Sequence, residues 1–402
     1  MSRPFFILVA MFFWIFFSVS CAYRKTPPVE TLDKPDASTP TTSEKRPAQP
    51  LAAVAAPWSA LAGQLVAQGL PKDQVIGFFN SPELTFTQAP METKLRELFG
   101  ILYRSDLTKD IQEKLYQLGY DVLIDGRGGP GTKKAIQAFQ KDHNLKTDGK
   151  GGDVLAAVLA QLVKKAAVRS LADYRPPAAT IPSRSATYPQ FTNPSVIEKI
   201  KAHYAADKAL FDRMTRVYQA PGPLVASIMW IETGYGNFFG KNLAAQVLAS
   251  MAASENFNLM APYLGDLTTE PEAKVFLMEQ ARQRAQWARK ELASLLVYAW
   301  ANRLDPLKFP GSIYGAIGYG QFMPSNVAKY AVDGDGDQRI DLFNKVDAIF
   351  SVGKFLREHG WPSAHNEEAR RAVIMRYNKS GVYVNTVLYV ARVLDPTFGM
   401  DR

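Results

Sequence analysis

Cysteine occurs once in these 402 residues, at Cys21, and histidine only four times. A single cysteine excludes a disulfide and a cysteine metal site within one chain. There is no His-Glu-x-x-His pair and no Gly-x-Ser-x-Gly elbow. A glycine-rich phosphate loop, zinc-type cysteine pairs and an arginine cluster interleaved with stacking aromatics are missing as well. These absences argue against amidase, peptidase and nucleic-acid functions. What is present is a chain of globular composition, 47% hydrophobic and 21% charged, long enough for two or three domains. Its net charge of +9 favours an anionic partner, such as anionic lipid or an acidic polymer like a cell wall, with nucleic acid the least supported.

Arg3 precedes an apolar run from Phe5 to Phe17, and Ser18-Val-Ser-Cys21 follows. This pattern reads as a secretory signal. Cys21 is then either modified, or left by ordinary cleavage nearby, or part of an uncleaved anchor, because Pro4 to Ala22 is just long enough to cross a bilayer. From Ala22 to about Gln49 the chain turns to Pro, Thr, Ser, Lys and Asp, the composition of an extended tether. Beyond Leu51, Trp58, Leu61, Leu65 and Leu70 are spaced for one helical face, and Asp73 to Phe79 continues the pattern. Pro176 to Pro194 is rich in Pro, Ser and Thr and reads as a connecting loop, after which helical patterns resume. No convincing internal repeat is visible.

The most informative segment is Pro223-Leu-Val-Ala-Ser-Ile-Met-Trp-Ile-Glu-Thr-Gly-Tyr-Gly236. Pro221 and Pro223 suit a helix start, Leu224, Ile228 and Ile231 share a face, and Gly234 and Gly236 suit the end. Glu232 thus stands at the end of a core helix. Either it loses hydration there, so that its pKa rises and it serves as a general acid, or it turns outward to solvent or Lys241. The segment alone does not choose.

Ile111-Gln-Glu-Lys-Leu-Tyr-Gln-Leu-Gly-Tyr120 is followed by Asp125-Gly126, Gly129-Pro-Gly-Thr132, Ala135, Phe139-Gln140, Leu145 and Asp148-Gly149. Two or three short helices separated by glycine turns follow from this pattern. The segment resembles the peptidoglycan-binding domain of the first type, with one extra residue, Gly131, before Thr132. The resemblance implies a shallow groove for the stem peptide or glycan of murein; a structural insert that has lost its ligand is the alternative. The leader resembles a bacterial lipoprotein signal, which implies a lipid on Cys21, although Ser18 stands where leucine is usual.

Gly311-Ser-Ile-Tyr-Gly-Ala-Ile-Gly-Tyr-Gly-Gln-Phe-Met-Pro-Ser325 is dense in small residues that let a backbone approach a ligand. Together with Ile231 to Gly236 upstream, Arg284 to Leu292, Leu304 to Ser312, and Arg376-Tyr-Asn-Lys-Ser-Gly-Val-Tyr383 downstream, it resembles the membrane-bound lytic murein transglycosylases of the B type, a glycoside hydrolase family 103-like group. The resemblance covers most of Ser195 to Leu394. It implies Glu232 as sole acid/base, and Ser312, Gln321, Tyr377, Asn378 and Tyr383 lining a saccharide cleft. Phe322 and Met323 would form an apolar wall, and Arg284 would contact substrate. The chain departs from the family in extra residues between Ser254 and Met278, and in Phe355 where a tyrosine is common.

Asp333-Gly-Asp-Gly-Asp-Gln-Arg-Ile-Asp-Leu-Phe-Asn344 has EF-hand spacing, with Asp333, Asp335, Asp337, the Arg339 carbonyl, Asp341 and Asn344 as candidate ligands. Gln338 replaces the turn glycine and Asn344 the bidentate acid. A weak structural calcium site is expected, against an acidic turn that binds nothing; no cofactor is needed for chemistry.

The expected organisation is a lipoprotein-type signal at 1–21, a tether at 22–50, a discontinuous catalytic domain at 51–105 and 166–402, and a peptidoglycan-binding domain at 106–165. The expected fold class is mainly α (α+β), a lysozyme-like catalytic fold with a small three-helix domain inserted. The expected function is cleavage of the MurNAc–GlcNAc bond with formation of a 1,6-anhydro end, by a monomer in the bacterial periplasm, lipid-anchored to the outer membrane. Its partners would be glycan strands and stem peptides. A hydrolytic muramidase and a non-catalytic peptidoglycan-binding lipoprotein are the alternatives.

Overall fold

A computed structural model describes residues 49–175 and 186–398. The amino-terminal leader with Cys21, nearly all of the tether, and part of the 176–194 connection lie outside these residues. The described chain is mainly helical, as the sequence patterns predict, with one pair of two-residue strands. No helix among the described residues is long and apolar enough to cross a membrane.

Three helices open the chain: α1 (Ser59–Ala67), α2 (Lys72–Phe79) and α3 (Ala89–Leu102). Trp58, Leu61 and Leu65, the face expected from spacing, are buried in the same core as residues beyond 190. Next come α4 (Ser105–Gln117), α5 (Pro130–Asp142) and α6 (Asp153–Val163), which enclose a second core. Ile111, Leu115, Ile136, Phe139 and Leu159 fill it. Main-core residues therefore flank this small unit on both sides in sequence.

Two buried glutamines organise the small unit. Gln112 Oε1 accepts from Gly126 N at 2.8 Å while its Nε2 donates to Asp125 Oδ1 at 3.0 Å. Gln140 repeats the arrangement on the second turn, accepting from Gly149 N at 2.8 Å and donating to Asp148 Oδ1 at 2.9 Å. In each turn the same aspartate oxygen also accepts the amide two residues on, from Arg127 or Lys150. A repeated device is thus present where the sequence shows no convincing repeat. The two halves share a helix glutamine and an Asp-Gly turn but differ in spacing, which hides the periodicity.

The main body continues with α7 (Pro194–Ala206), α8 (Lys208–Tyr218), α9 (Gly222–Thr233) and α10 (Ala244–Ala253). The long α11 (Pro271–Ala301), α12 (Pro324–Tyr330), α13 (Lys345–Glu358), α14 (Glu367–Tyr377) and α15 (Gly381–Leu394) complete it. A helix that is apolar on every face belongs inside a core. Helix α9 meets that condition: all its residues except Glu232 are buried. It ends as its glycine predicts, with Gly234 left-handed (φ 58°) and amide bonds from Gly234 to Trp230 O and from Tyr235 to Met229 O.

Strand β1 (Asn242–Leu243) pairs antiparallel with β2 (Pro310–Gly311), Asn242 facing Gly311. Isolated bridges continue the stitching from Gly311 to Ile317 and from Ile317 to Phe322. The glycine-dense loop is thereby tied to the turn that follows α9.

Candidate active site

Glu232 is the next-to-last residue of α9 and only partly buried, whereas its neighbours Ile231 and Thr233 are buried. It does not turn to Lys241 as the alternative held. Its Oε1 accepts from the Tyr383 hydroxyl at 2.8 Å. Burial disfavours the carboxylate and pushes the Glu232 pKa up to about 8, with the Tyr383 hydrogen bond opposing part of the rise. No other carboxylate among the described residues contributes to that shift.

Tyr383 comes from the first turn of α15 and is fully buried. Tyr377, from the end of α14, lies nearly parallel to it, with ring centroids 6.5 Å apart and planes at 6°. The Tyr377 hydroxyl donates to the Gly320 carbonyl. Burial, reinforced by the nearby Glu232 carboxyl, holds both phenols protonated far above neutrality. Gly320 has no room for a side chain, since a Cβ there would lie 2.8 Å from the Tyr377 hydroxyl oxygen and 3.0 Å from Val352.

Ser312 stands directly after β2, and its Oγ accepts from the amides of Tyr314 and Ala316 at 3.2 and 3.0 Å. Two donors on one hydroxyl oxygen polarise it and leave its hydrogen to donate elsewhere. Gln321 is left-handed (φ 47°) and donates from Nε2 to Gly318 O and Phe239 O. Asn378 ends α14 and is partly buried. Phe322 and Met323 are almost wholly buried, and Phe322 packs on Phe355 and Tyr377. Phe355 meets Tyr377 edge-on at 4.8 Å, an apolar support beneath that ring.

Tyr188 joins this group without a sequence motif to announce it. Its amide donates to Thr386 Oγ1 at 2.9 Å. Burial raises its phenol pKa, which is also influenced by Ser380 and Glu232. The residue sits in the Pro/Ser/Thr-rich connection, where composition points only to a loop.

The Transglycosylase SLT domain family matches residues 131–371, from the start of α5 into α14. The chain belongs to this family. Membrane-bound lytic murein transglycosylase B of Escherichia coli is 27% identical over 257 residues, 62% of this chain and 62% of that one. The match thus spans less than two thirds of that relative's length. Among solved structures, soluble lytic transglycosylase SltB1 from Pseudomonas aeruginosa aligns with a TM-score of 0.41 and 21% identity, covering 67% of this chain and all of that one. The Escherichia coli lytic transglycosylase Slt35 in complex with calcium gives 0.42 and 21%, covering 71% of this chain and 98% of that one.

Within this family member, Arg284 lies on α11. Burial lowers its guanidinium pKa, with Glu97 and Tyr314 acting in the opposite direction. Ser254 to Met278 forms two short turns and the first residues of α11, and Arg96 of α3 clasps them through Asp266 and Tyr263 O.

In the acidic loop, oxygens of Asp333, Asp335 and Asp347 lie within 4.8 Å of one another. Asp347, on α13, falls outside the twelve-residue pattern and was not predicted. It is buried and accepts from Gly334 N and Asp341 N at 2.8 and 2.7 Å. Gln338 takes the left-handed turn (φ 67°) normally given to glycine. Asn344 caps α13 through Oδ1 and donates its amide to Asp335 Oδ2, leaving no oxygen turned to the cluster. Asp341 Oδ1 accepts from Phe343 N, Asp337 Oδ1 from Arg339 N, and the Arg339 side chain reaches Asn302 O.

Proposed function

We propose that this chain is a lytic murein transglycosylase on a lysozyme-like fold, cleaving the bond between N-acetylmuramic acid and N-acetylglucosamine. The observation that carries the proposal is the Glu232 carboxyl at the end of the buried helix α9, bonded to the Tyr383 hydroxyl and pushed by burial to a pKa of about 8, with no second carboxyl among the described residues contributing to that shift. Hydrolases of the inverting or retaining kind employ two carboxyls across the bond. Here the groups that face Glu232 are the phenols of Tyr383, Tyr377 and Tyr188, and the Ser312 hydroxyl and the amides of Gln321 and Asn378 are assigned to the same site by the family resemblance.

At neutral pH Glu232 is mostly protonated, with Tyr383 donating to Oε1 and Oε2 free to carry the proton. Glu232 gives this proton to the glycosidic oxygen as the C1–O bond breaks. The Ser312 hydroxyl, or the acetamido group of the same sugar, stabilises the positive charge at C1. Glu232 then takes the proton of the C6 hydroxyl, whose oxygen bonds to C1. The sugar closes to a 1,6-anhydro ring and no water is consumed. Incubation of purified sacculi with the protein should release muropeptides whose new ends resist borohydride. Reducible ends would favour a muramidase, and binding without soluble product a non-catalytic wall protein.

The pH dependence follows from the same group. Turnover should fall as pH rises through about 8, where Glu232 loses its proton. Tyr383→Phe removes the bond that favours the carboxylate, so in the residual activity of that variant the alkaline limb should move to higher pH. A downward move in the pH–rate profile would contradict the assigned bond.

The small unit at 106–165 is assigned to wall binding, so that Cys21 lipid, tether and binding unit keep a monomeric enzyme at the murein beneath the outer membrane. A calcium ion would be held by Asp333, Asp335, Asp337, the Arg339 carbonyl and Asp347, as a brace for the loop rather than a participant in cleavage. The close approach of three carboxylates fits a divalent cation, because their mutual repulsion is relieved by it. Calcium at millimolar concentration should raise the melting temperature by a few degrees, and Asp347→Asn should remove most of the increment. Equal increments in both proteins would exclude Asp347 as a ligand.

A further inference from the structure

The turn that follows Glu232 is held from behind by residues that the cleavage chemistry does not use. Tyr235 has a left-handed backbone (φ 61°), a conformation that bulky side chains seldom adopt. Its ring is buried between Trp230, His203 and Tyr319, with centroids 6.3, 5.2 and 6.2 Å away. Its hydroxyl donates to Asp207 Oδ2 at 2.7 Å. Lys345 Nζ reaches both oxygens of Asp207 at 2.8 Å. Burial raises the Asp207 pKa, but the bonds from Lys345 and Tyr235 outweigh it and hold the carboxyl below its ordinary value.

Neither charge serves its own helix. Asp207 stands at the N-cap of α8, where a carboxylate normally accepts a first-turn amide, yet it makes no capping bond. Lys345 is the first residue of α13, the end at which the helix dipole disfavours a cation. Instead Lys345 bonds Asp207, Asp207 accepts from the Tyr235 hydroxyl, and the Tyr235 amide is bound to the last turn of α9 through Met229 O at 3.2 Å. On its other side, Gly236 N donates to Thr233 Oγ1, adjacent to Glu232.

We infer that Asp207 and Lys345 form an ionic anchor that, through the Tyr235 hydroxyl, locks the left-handed turn after α9 and thereby fixes the Glu232 carboxyl against Tyr383. The three are positioning residues, and none needs to touch substrate. A carboxyl on the last turn of a helix moves with the turn that terminates it, so a looser turn lets Glu232 drift and gain hydration. The kinetic half of the inference rests on the proposed transglycosylase function; the geometric half does not.

Tyr235→Phe keeps the ring and removes the hydroxyl. On soluble murein glycan strands its kcat should fall roughly tenfold with KM within about twofold of wild type, the signature of lost alignment in the transition state. Carbon-13 carboxyl NMR, with the Glu232 signal identified by its loss in Glu232→Gln, should show the Glu232 pKa moving down toward the ordinary range. The groups facing that carboxyl, Tyr383, Tyr377 and Tyr188, are unchanged in the variant. Asp207→Asn retains an acceptor for Tyr235 and should recover much of the kcat that Asp207→Ala loses. If Tyr235→Phe does not fold, Lys345→Met carries the test, with a smaller loss of kcat and the same direction of pKa change. A folded Tyr235→Phe or Lys345→Met with wild-type kcat and wild-type Glu232 titration overturns the anchor. A wild-type protein inactive on murein, whose Glu232 titration still moves in Tyr235→Phe, overturns the proposed function and leaves the anchor standing.

Discussion

Glu232→Gln should lower release of soluble muropeptides by at least about a thousandfold, because in the proposed mechanism one group supplies both proton transfers and each contributes on the order of a hundredfold or more. Glutamine keeps the size and can still accept from Tyr383, so the loss would report the missing proton and not a collapsed site. Stability gives an independent control. The native carboxyl keeps its proton up to about 8, whereas an ordinary glutamate releases it near 4.5. Between these values the folded chain binds the extra proton, so this group's contribution falls as pH rises and is least favourable above about 8. Glutamine carries no such burden. At pH 9 Glu232→Gln should therefore melt a few degrees higher than wild type, while at pH 4 the two should coincide. An inactive variant that melts lower at pH 9 would point to structural damage, and substantial remaining activity would remove Glu232 from the chemistry.

Gly240→Ala is expected to produce a large loss of stability at the β1–β2 pair that precedes Ser312. The residue has φ 115°, and a Cβ would lie 1.9 Å from Gly311 O and 2.4 Å from Gly311 C. Those atoms belong to backbone, which cannot rotate away as a side chain would. The clash would separate β1 from β2 and displace Ser312, which follows Gly311. A cost above roughly 3 kcal/mol is expected from the combined backbone strain and overlap. In thermal melts the variant should unfold several degrees lower, and whatever remains folded should turn over poorly. Wild-type melting together with wild-type turnover would show that the strand pairing is dispensable to the placement of Ser312.

The helix carrying Glu232 is legible in the sequence because its signals are local. A largely apolar run lies between Pro223 and Gly234, and the structure forms α9 at Gly222–Thr233. The glycine-dense loop is legible for a similar reason: Gly315 and Gly318 are left-handed, and close approach at Gly311, Gly318 and Gly320 leaves no space for a Cβ. Tyr188, Asp347 and the anchor on Tyr235 are different. Each depends on contacts across many residues of sequence, where neither periodicity nor spacing carries information. Asp207 would be read locally as a helix cap and Lys345 as a solvated charge, yet the fold joins them. The glutamine clasps at Gln112 and Gln140 escaped for another reason, since unequal spacing conceals a shared geometry. Phe322 and Met323 show what a motif leaves open: it fixes their place in the chain, whereas only the fold shows that both side chains are almost wholly buried.

Oxygen-18 water tests directly whether one carboxyl acts twice on one sugar without admitting water. Purified protein should digest sacculi in that solvent to products each lighter by one water than hydrolytic muropeptides and carrying no heavy oxygen at the new end. Heavy oxygen at the anomeric carbon of those products would contradict the account.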